Sequence, residues 1–258
     1  MFFPRVIPTL LLNQNYLVKT RKFKNPRYLG DPINAVRIFN EKEVDELTFL
    51  DISASINNTE PNFKLIENIA SEAFMPFSYG GGINKIQHIK NLFSIGVEKI
   101  ILNSIAIKNP DFINEASAIA GSSSVVVSVD YKRNWRGKLN LFSKNVKSAS
   151  SFKLIDYVRE LQIRGAGEII LTSVDNDGCM NGYDLPTIKS ICGHLEIPVV
   201  ACGGASNLKD MRDAVNFGAA AAGAGSFFLF HGSLKGFLIS YPDREEIEKI
   251  FSTKNKKS

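Results

Sequence analysis

Residues 46–52, Glu-Leu-Thr-Phe-Leu-Asp-Ile, return in altered form as Glu-Ile-Ile-Leu-Thr-Ser-Val at 168–174, an offset of 122. Residues 76–82, Pro-Phe-Ser-Tyr-Gly-Gly-Gly, align at the same offset with Pro-Val-Val-Ala-Cys-Gly-Gly at 198–204. Two unrelated domains would not share one offset across two motifs, so the repeat argues for two equivalent halves of one fold. Each motif is a short apolar run ending in small or polar residues, the pattern of a buried parallel strand running into a functional loop.

Similar runs recur along the rest of the chain. Strands are expected at Val6–Leu12, Glu46–Ile52, Phe77–Tyr79, Lys99–Leu102, Val125–Val129, Glu168–Val174, Val199–Ala201 and Ala219–Ala224. Amphipathic segments lie between them, including Ile33–Asn40, Phe63–Phe74, Ile86–Ile95 and Ser151–Arg164. Gly96 and Gly165 follow helices and Pro76 and Pro198 precede strands, where breakers belong. Eight βα units predict an α/β chain folded as a single (β/α)8 TIM barrel over residues 1–258, made of two half-barrel repeats of about 120 residues.

Composition narrows the class. The 258 residues carry 31 Lys+Arg and 26 Asp+Glu, a net charge of +5, with 44% hydrophobic and 22% charged residues, which is ordinary globular usage. Cys179, Cys192 and Cys202 are too few and too scattered for a disulfide scaffold or a zinc site, so a reduced, cytoplasmic protein without metal or cofactor is expected. The uncharged stretch Val215–His231 is too short to span a bilayer comfortably, and Pro8 interrupts the apolar Val6–Leu12 with no cleavage-like site after it. Secretion and membrane insertion are therefore not expected. Lys19, Arg21, Lys22, Lys24 and Arg27 cluster in what reads as a long loop, either solvated or an anion-binding lid. Its aromatics, Phe23 and Tyr28, do not form a nucleic-acid stacking platform. The basic tail at 252–258, with Lys254, Lys256 and Lys257, reads as a frayed, solvated end.

Glycine turns end strands 3 and 7, Gly80-Gly81-Gly82 and Gly203-Gly204, and a small polar pair follows one unit later, Asn103-Ser104 and Gly225-Ser226. Successive N–H groups in such turns can cradle an anion, and two copies suit a substrate phosphorylated at both ends. The acids at strand ends are Asp51, Asp130, Asp175 and Asp177. Asp130 ends a continuous apolar strand, a position that reads as catalytic; the alternatives are a helix cap or a salt bridge to Lys132 or Arg133. Lys19 follows strand 1 and could contact an anion. None of His88, His194 and His231 lies near a strand end with a nucleophile partner. Arg5, Glu46, Lys99 and Glu168 start strands 1, 2, 4 and 6, where two positive and two negative charges could ring the opposite mouth.

With Asp-Ile-Ser-Ala-Ser at 51–55, Gly-Gly-Gly-Ile at 80–83, Val-Val-Val-Ser-Val-Asp at 125–130, Arg-Gly-Ala-Gly-Glu at 164–168 and Leu-Thr-Ser-Val-Asp-Asn-Asp-Gly at 171–178, the chain resembles the HisF family from Arg5 to about Phe230. That family is the cyclase subunit of imidazole glycerol phosphate synthase, a lyase in histidine biosynthesis. The resemblance implies that a HisH-like glutaminase docks at the N-terminal mouth, forming a heterodimer, and that its ammonia crosses the barrel to a phosphorylated substrate. It implies that Gly82, Asn103 and Ser104, beside Gly81, hold one phosphate. Asp177, Gly178, Gly204, Gly225 and Ser226, beside Thr172 and Gly203, would line the other side. Asp130 would be the catalytic acid/base, Lys19 the loop lysine over the substrate, and Arg5, Glu46, Lys99 and Glu168 the ammonia gate.

One departure changes the expected chemistry. Leu11 stands where the family has a second catalytic aspartate, and Thr20 replaces the glycine after Lys19. Leucine moves no proton, and losing one of an opposed acid–base pair costs about 10²–10⁴-fold in rate. Ammonia delivery with half the cyclase chemistry resembles the HisF-like proteins of surface-polysaccharide (lipopolysaccharide) gene sets. Those work with a HisH-like glutaminase and a separate amidotransferase in making acetamidino sugars, which implies a phosphorylated or sugar-nucleotide acceptor. The alternatives are a true histidine-pathway cyclase and a non-catalytic glutaminase scaffold; a scaffold would have no need of Asp130 and two phosphate nests.

Overall fold

Along Arg5–Asn13 (β1), Val6, Leu10 and Leu12 join one apolar layer while Ile7 joins another. The two layers are the shell between barrel and helices and the interior of the barrel itself. In this computed structural model, which describes residues 3–232 and 236–252, seven more parallel strands follow: β2 (Leu47–Asp51), β3 (Phe77–Gly80), β4 (Lys99–Leu102), β5 (Val125–Arg133), β6 (Glu168–Ser173), β7 (Val199–Cys202) and β8 (Ala221–Ala224). Each pairs with the next, and β8 returns to β1 from Arg5↔Ala221 to Pro8↔Ala224, closing an eight-stranded (β/α) barrel. Helices such as Pro32–Glu41, capped by Asp31, and Leu185–Cys192, capped by Asp184, bury one face against this wall. The basic lysines beyond residue 252 lie outside the described residues.

The bore is filled, not open. Ile7, Ile101, Val126, Ile170, Val200 and Ala221 form its apolar core, and the hydroxyls of Thr48 and Ser78 satisfy each other at 2.9 Å. One close backbone approach recurs at the offset of 122. A Cβ on Gly81 would stand 2.6 Å from the Asp51 carbonyl oxygen, and one on Gly203 the same 2.6 Å from that of Ser173. Both members of the pair are shifted by 122, so the two halves need glycine for one and the same backbone approach.

The basic stretch expected as a loop is instead a β-hairpin, Tyr16–Arg21 against Lys24–Gly30. Two causes act together. β8 pairs with β1 only as far as Pro8, so the upper edge of β1 is free to bond Tyr16–Val18 through Leu11–Asn13. Leu17, Val18 and Leu29 then bury against the barrel. The turn residues, Lys22 and Phe23, both sit at positive φ (52° and 59°), as a two-residue primed turn requires. A second hairpin forms where β5 runs on past residue 129 to Arg133 and returns through Leu139–Leu141.

Candidate active site

Of the residues singled out at the C-terminal strand ends, all but Asp175 line one cavity at that mouth. Strand β1 and its hairpin supply Leu11, Lys19 and Thr20; the β3 and β4 ends supply Gly81, Gly82, Asn103 and Ser104. The β5 and β6 ends supply Asp130, Thr172, Asp177 and Gly178, and the β7 and β8 ends Gly203, Gly204, Gly225 and Ser226. Parallel strands deliver their C-terminal loops to one rim, which is why residues from seven strands converge.

The acids sort by partner. Asp51 is occupied locally: its Oδ1 accepts from Ser53 N (2.8 Å), Ser53 Oγ (2.7 Å) and Ala54 N (3.1 Å). Asp175 accepts from the backbone N–H of Arg133 at 2.8 Å. Asp177 is ion-paired with Lys19 at 2.8 Å and also accepts from Thr20 Oγ1 at 3.2 Å. Asp130 reaches into the cavity without a cation, held by two neutral side chains, Asn103 Nδ2 at 3.0 Å and Ser128 Oγ at 3.4 Å. It forms neither a helix cap nor a salt bridge; Arg133 pairs with Asp184 at 2.9 Å instead. Burial, with the Asp177 charge adding to it and the Asn103 hydrogen bond opposing it, raises Asp130 to about 7. A carboxyl poised there can take or give a proton at neutral pH.

Lys19 is not a solvated loop lysine. It is 7% exposed, and its chain runs over Gly225, whose absent Cβ would meet Lys19 Cε at 3.2 Å. On the far side of the cavity from Asp130 stands Leu11, 9% exposed. β1 and β5 are diametrically opposite in the ring of eight. The histidines lie elsewhere: His88 faces Glu60 at 3.4 Å, His194 Nδ1 meets the Ser190 carbonyl and His231 the Ser240 hydroxyl.

Several cavity residues were not anticipated. Thr9 and Cys202 line the base, where burial pushes the Cys202 thiol up to about 12 and leaves it unreactive. Phe23, Ser143, Lys144 and Asn145 reach in from the two hairpins, and Phe23 meets Phe142 edge-on at 6.0 Å. The hairpins hid in basic, Gly- and Pro-containing sequence.

At the opposite mouth the four expected charges meet in a closed ring. Arg5 bonds both Glu46 and Glu168, and Lys99 reaches Glu168 at 2.9 Å and Glu46 at 3.3 Å. Both glutamates are under a tenth exposed.

The family model for histidine biosynthesis proteins matches residues 5–235. A Leptospira interrogans protein named "Putative imidazole glycerol phosphate synthase subunit HisF" is 46% identical over 97% of this chain and 100% of its own length. The chain belongs to the HisF family. A second HisF relative, the hisF2 protein of Pseudomonas aeruginosa, is 45% identical over 95% of this chain and 98% of its own. The "Imidazole glycerol phosphate synthase subunit HisF" of Thermococcus onnurineus is 37% identical over 88% of this chain and 90% of its own. As a HisF-family subunit, the chain sets Leu11 opposite Asp130, where the family resemblance implies a second carboxylate. Among the described residues no helix is long and apolar enough to cross a membrane.

Proposed function

We propose that this HisF-family chain is the ammonia-using subunit of a glutamine amidotransferase complex whose acceptor is a phosphorylated small molecule other than the histidine-pathway intermediate. The acetamido group of a surface-polysaccharide sugar, converted to an acetamidino group, fits that description. The observation carrying this reading is the single proton-transfer carboxylate, Asp130, opposite Leu11 in a cavity built above a complete charged ring.

Ammonia adding to an electrophilic carbon becomes a C–NH3+ group that must lose a proton, which the Asp130 carboxylate can accept. One base suffices for that step. On an acetamido carbon the amide oxygen must then leave, as phosphate once the separate amidotransferase has activated it with a nucleoside triphosphate. Closing and aromatising an imidazole ring calls for a donor and an acceptor on opposed faces, and Leu11 supplies neither. The Gly81–Gly82 turn with Asn103–Ser104, and the Gly203–Gly204 turn with Gly225–Ser226, hold the acceptor's phosphate groups through backbone N–H donors. Lys19, fixed by Asp177, adds a positive charge at the second of these. The ring of Arg5, Glu46, Lys99 and Glu168 admits ammonia from a HisH-like glutaminase docked beneath it, and in the acetamidino pathway a separate amidotransferase shares the work.

The test is turnover of the histidine-pathway bis-phosphate with saturating ammonia, alongside its binding. Tight binding with little imidazole glycerol phosphate is expected, because phosphate contacts act in ground and transition states alike. Turnover at the level of authentic family cyclases would falsify the proposal. The alternative, a true cyclase, then stands on Asp130 alone.

A further inference from the structure

Residues 14–30 and 131–147 are the two hairpin segments flanking the cavity, and together they contain eleven Lys/Arg and no Asp/Glu. The other 20 basic residues of the chain's 31 face 26 acidic ones, so the rest of the molecule carries a net charge of −6. Lys19 is fixed inside the cavity by Asp177, and Arg133 pairs with Asp184, which fixes the second hairpin in place. Arg21, Lys22, Lys24, Arg27, Lys132, Arg136, Lys138 and Lys144 are exposed. At the tip of the second hairpin stands Trp135, the only tryptophan of the chain, 85% exposed with the Arg136 guanidinium 4.3 Å from its ring centre.

We propose that these hairpins form a second binding zone, continuous with the cavity, for the diphosphate and base of a nucleoside diphosphate attached to the acceptor, with Trp135 as the stacking surface. This rests on the reading above that the cavity takes a phosphorylated acceptor. Three observations support a small ligand over a macromolecule. The same hairpins line the cavity through Lys19, Thr20 and Phe23 on one side and Ser143, Lys144 and Asn145 on the other. They meet through Phe23 and Phe142, so the two basic segments are joined beside one opening. Asp130 and Trp135 are five residues apart, at most about 17 Å along an extended strand. A diphosphate with its two flanking sugar rings spans such a gap, placing the transferred sugar at Asp130 and the base at Trp135. An exposed indole beside guanidinium and ammonium groups is the ordinary means of holding a base and its phosphates.

Because Trp135 is the sole tryptophan, the full-length protein reports on this zone by its own fluorescence. UDP, ADP and GDP are titrated separately, and inorganic phosphate is followed by calorimetry. The expected result is a saturable Trp135 signal with at least one nucleoside diphosphate. That binding should weaken about tenfold in Lys22→Glu/Lys24→Glu/Arg136→Glu/Lys138→Glu and fall with added salt, while phosphate binding stays within about twofold. Should the quadruple variant not fold, Trp135→Ala followed by calorimetry replaces it, with the same loss expected. The proposal is overturned if no nucleoside diphosphate gives a saturable signal, or if these variants bind it as wild type does. It is equally overturned if an oligonucleotide or phosphatidylglycerol vesicles bind the hairpins more tightly than any nucleotide. Loss of phosphate binding in the wild type would count against the phosphorylated-acceptor reading itself and is scored separately.

Discussion

Lys19 and Asp177, 158 residues apart in the chain, form an ion pair at 2.8 Å with 7% and 9% of the residues exposed. The pair ties the first hairpin to the loop after β6. Asp177 also accepts from Thr20 Oγ1, and its carbonyl accepts from Lys22 N at 2.9 Å. The space for this contact depends on Gly178, where a Cβ would lie 2.5 Å from the Thr20 carbonyl oxygen.

Lys19→Met should therefore leave a buried carboxylate without its cation and destabilise the protein by about 3–5 kcal/mol. Lys19→Met/Asp177→Asn should recover much of that loss. Chemical denaturation of the four proteins of this cycle measures the coupling, and a single-variant loss below about 0.5 kcal/mol would show that the pair does not hold the hairpin.

The raised pKa of Asp130 gives two pH signatures. If its carboxylate is the base, activity should rise with pH to a plateau with a midpoint near 7, and Asp130→Asn should abolish the profile along with about 10²–10⁴ of the rate. Stability should move the other way. The folded state keeps the proton to about 7 while an unfolded Asp loses it near 3.8, so between those values the native protein binds more protons. Its stability then falls as pH rises through that window and levels off above it. Asp130→Asn should remove that decline, a gain of at most about 4 kcal/mol at pH 8 relative to its effect at pH 3. Thermal melts across that range decide the matter.

Leu11→Asp would place a second carboxylate across the cavity from Asp130. A like charge there should raise the Asp130 midpoint by about one pH unit, read as a shift of the activity profile or of a carboxyl titration by NMR. An unmoved midpoint would mean that the two positions do not face each other as β1 and β5 place them.

In the ring at the other mouth, Lys99→Met leaves Glu46 and Glu168 sharing Arg5 alone. A loss of about 3 kcal/mol of stability is expected, because both glutamates are buried. Glutamine-dependent activity with the glutaminase present should fall, while activity with free ammonia is retained. Equal losses of both would argue for a purely structural ring.

The barrel was legible because its strands obey one rule throughout. Lys99–Leu102 was placed to the residue, and Val199–Cys202 and Phe77–Gly80 within one, since each is a short apolar run bounded by a proline or a charge before it and a glycine turn or small polar loop after it. The ring was legible too, as four charges each opening a strand. The hairpins were not. Lys24–Gly30 has one buried residue in seven, so no apolar alternation marks it, and its turn uses Lys22 and Phe23 where Asn-Gly would have announced it. The free upper edge of β1 that recruits this hairpin is a property of the closed barrel, invisible in any local window. Lys19 consequently looked like a solvated lysine until tertiary structure gave it Asp177.

β1 thus belongs to two structures at once: one edge stays paired with β2 as a barrel stave from Thr9 to Leu12, while the other passes from β8, up to Pro8, to a three-stranded meander above it. The hairpin pairs with Leu11, Leu12 and Asn13, and of these Leu11 also lines the cavity. Swinging the hairpin away must then unzip or carry along the strand bearing Leu11, making the entrance and the floor of the site one cooperative unit. In amide exchange, the N–H groups shared by Leu11–Asn13 and Tyr16–Val18 should open together, at a free energy below that of the β3–β6 strands.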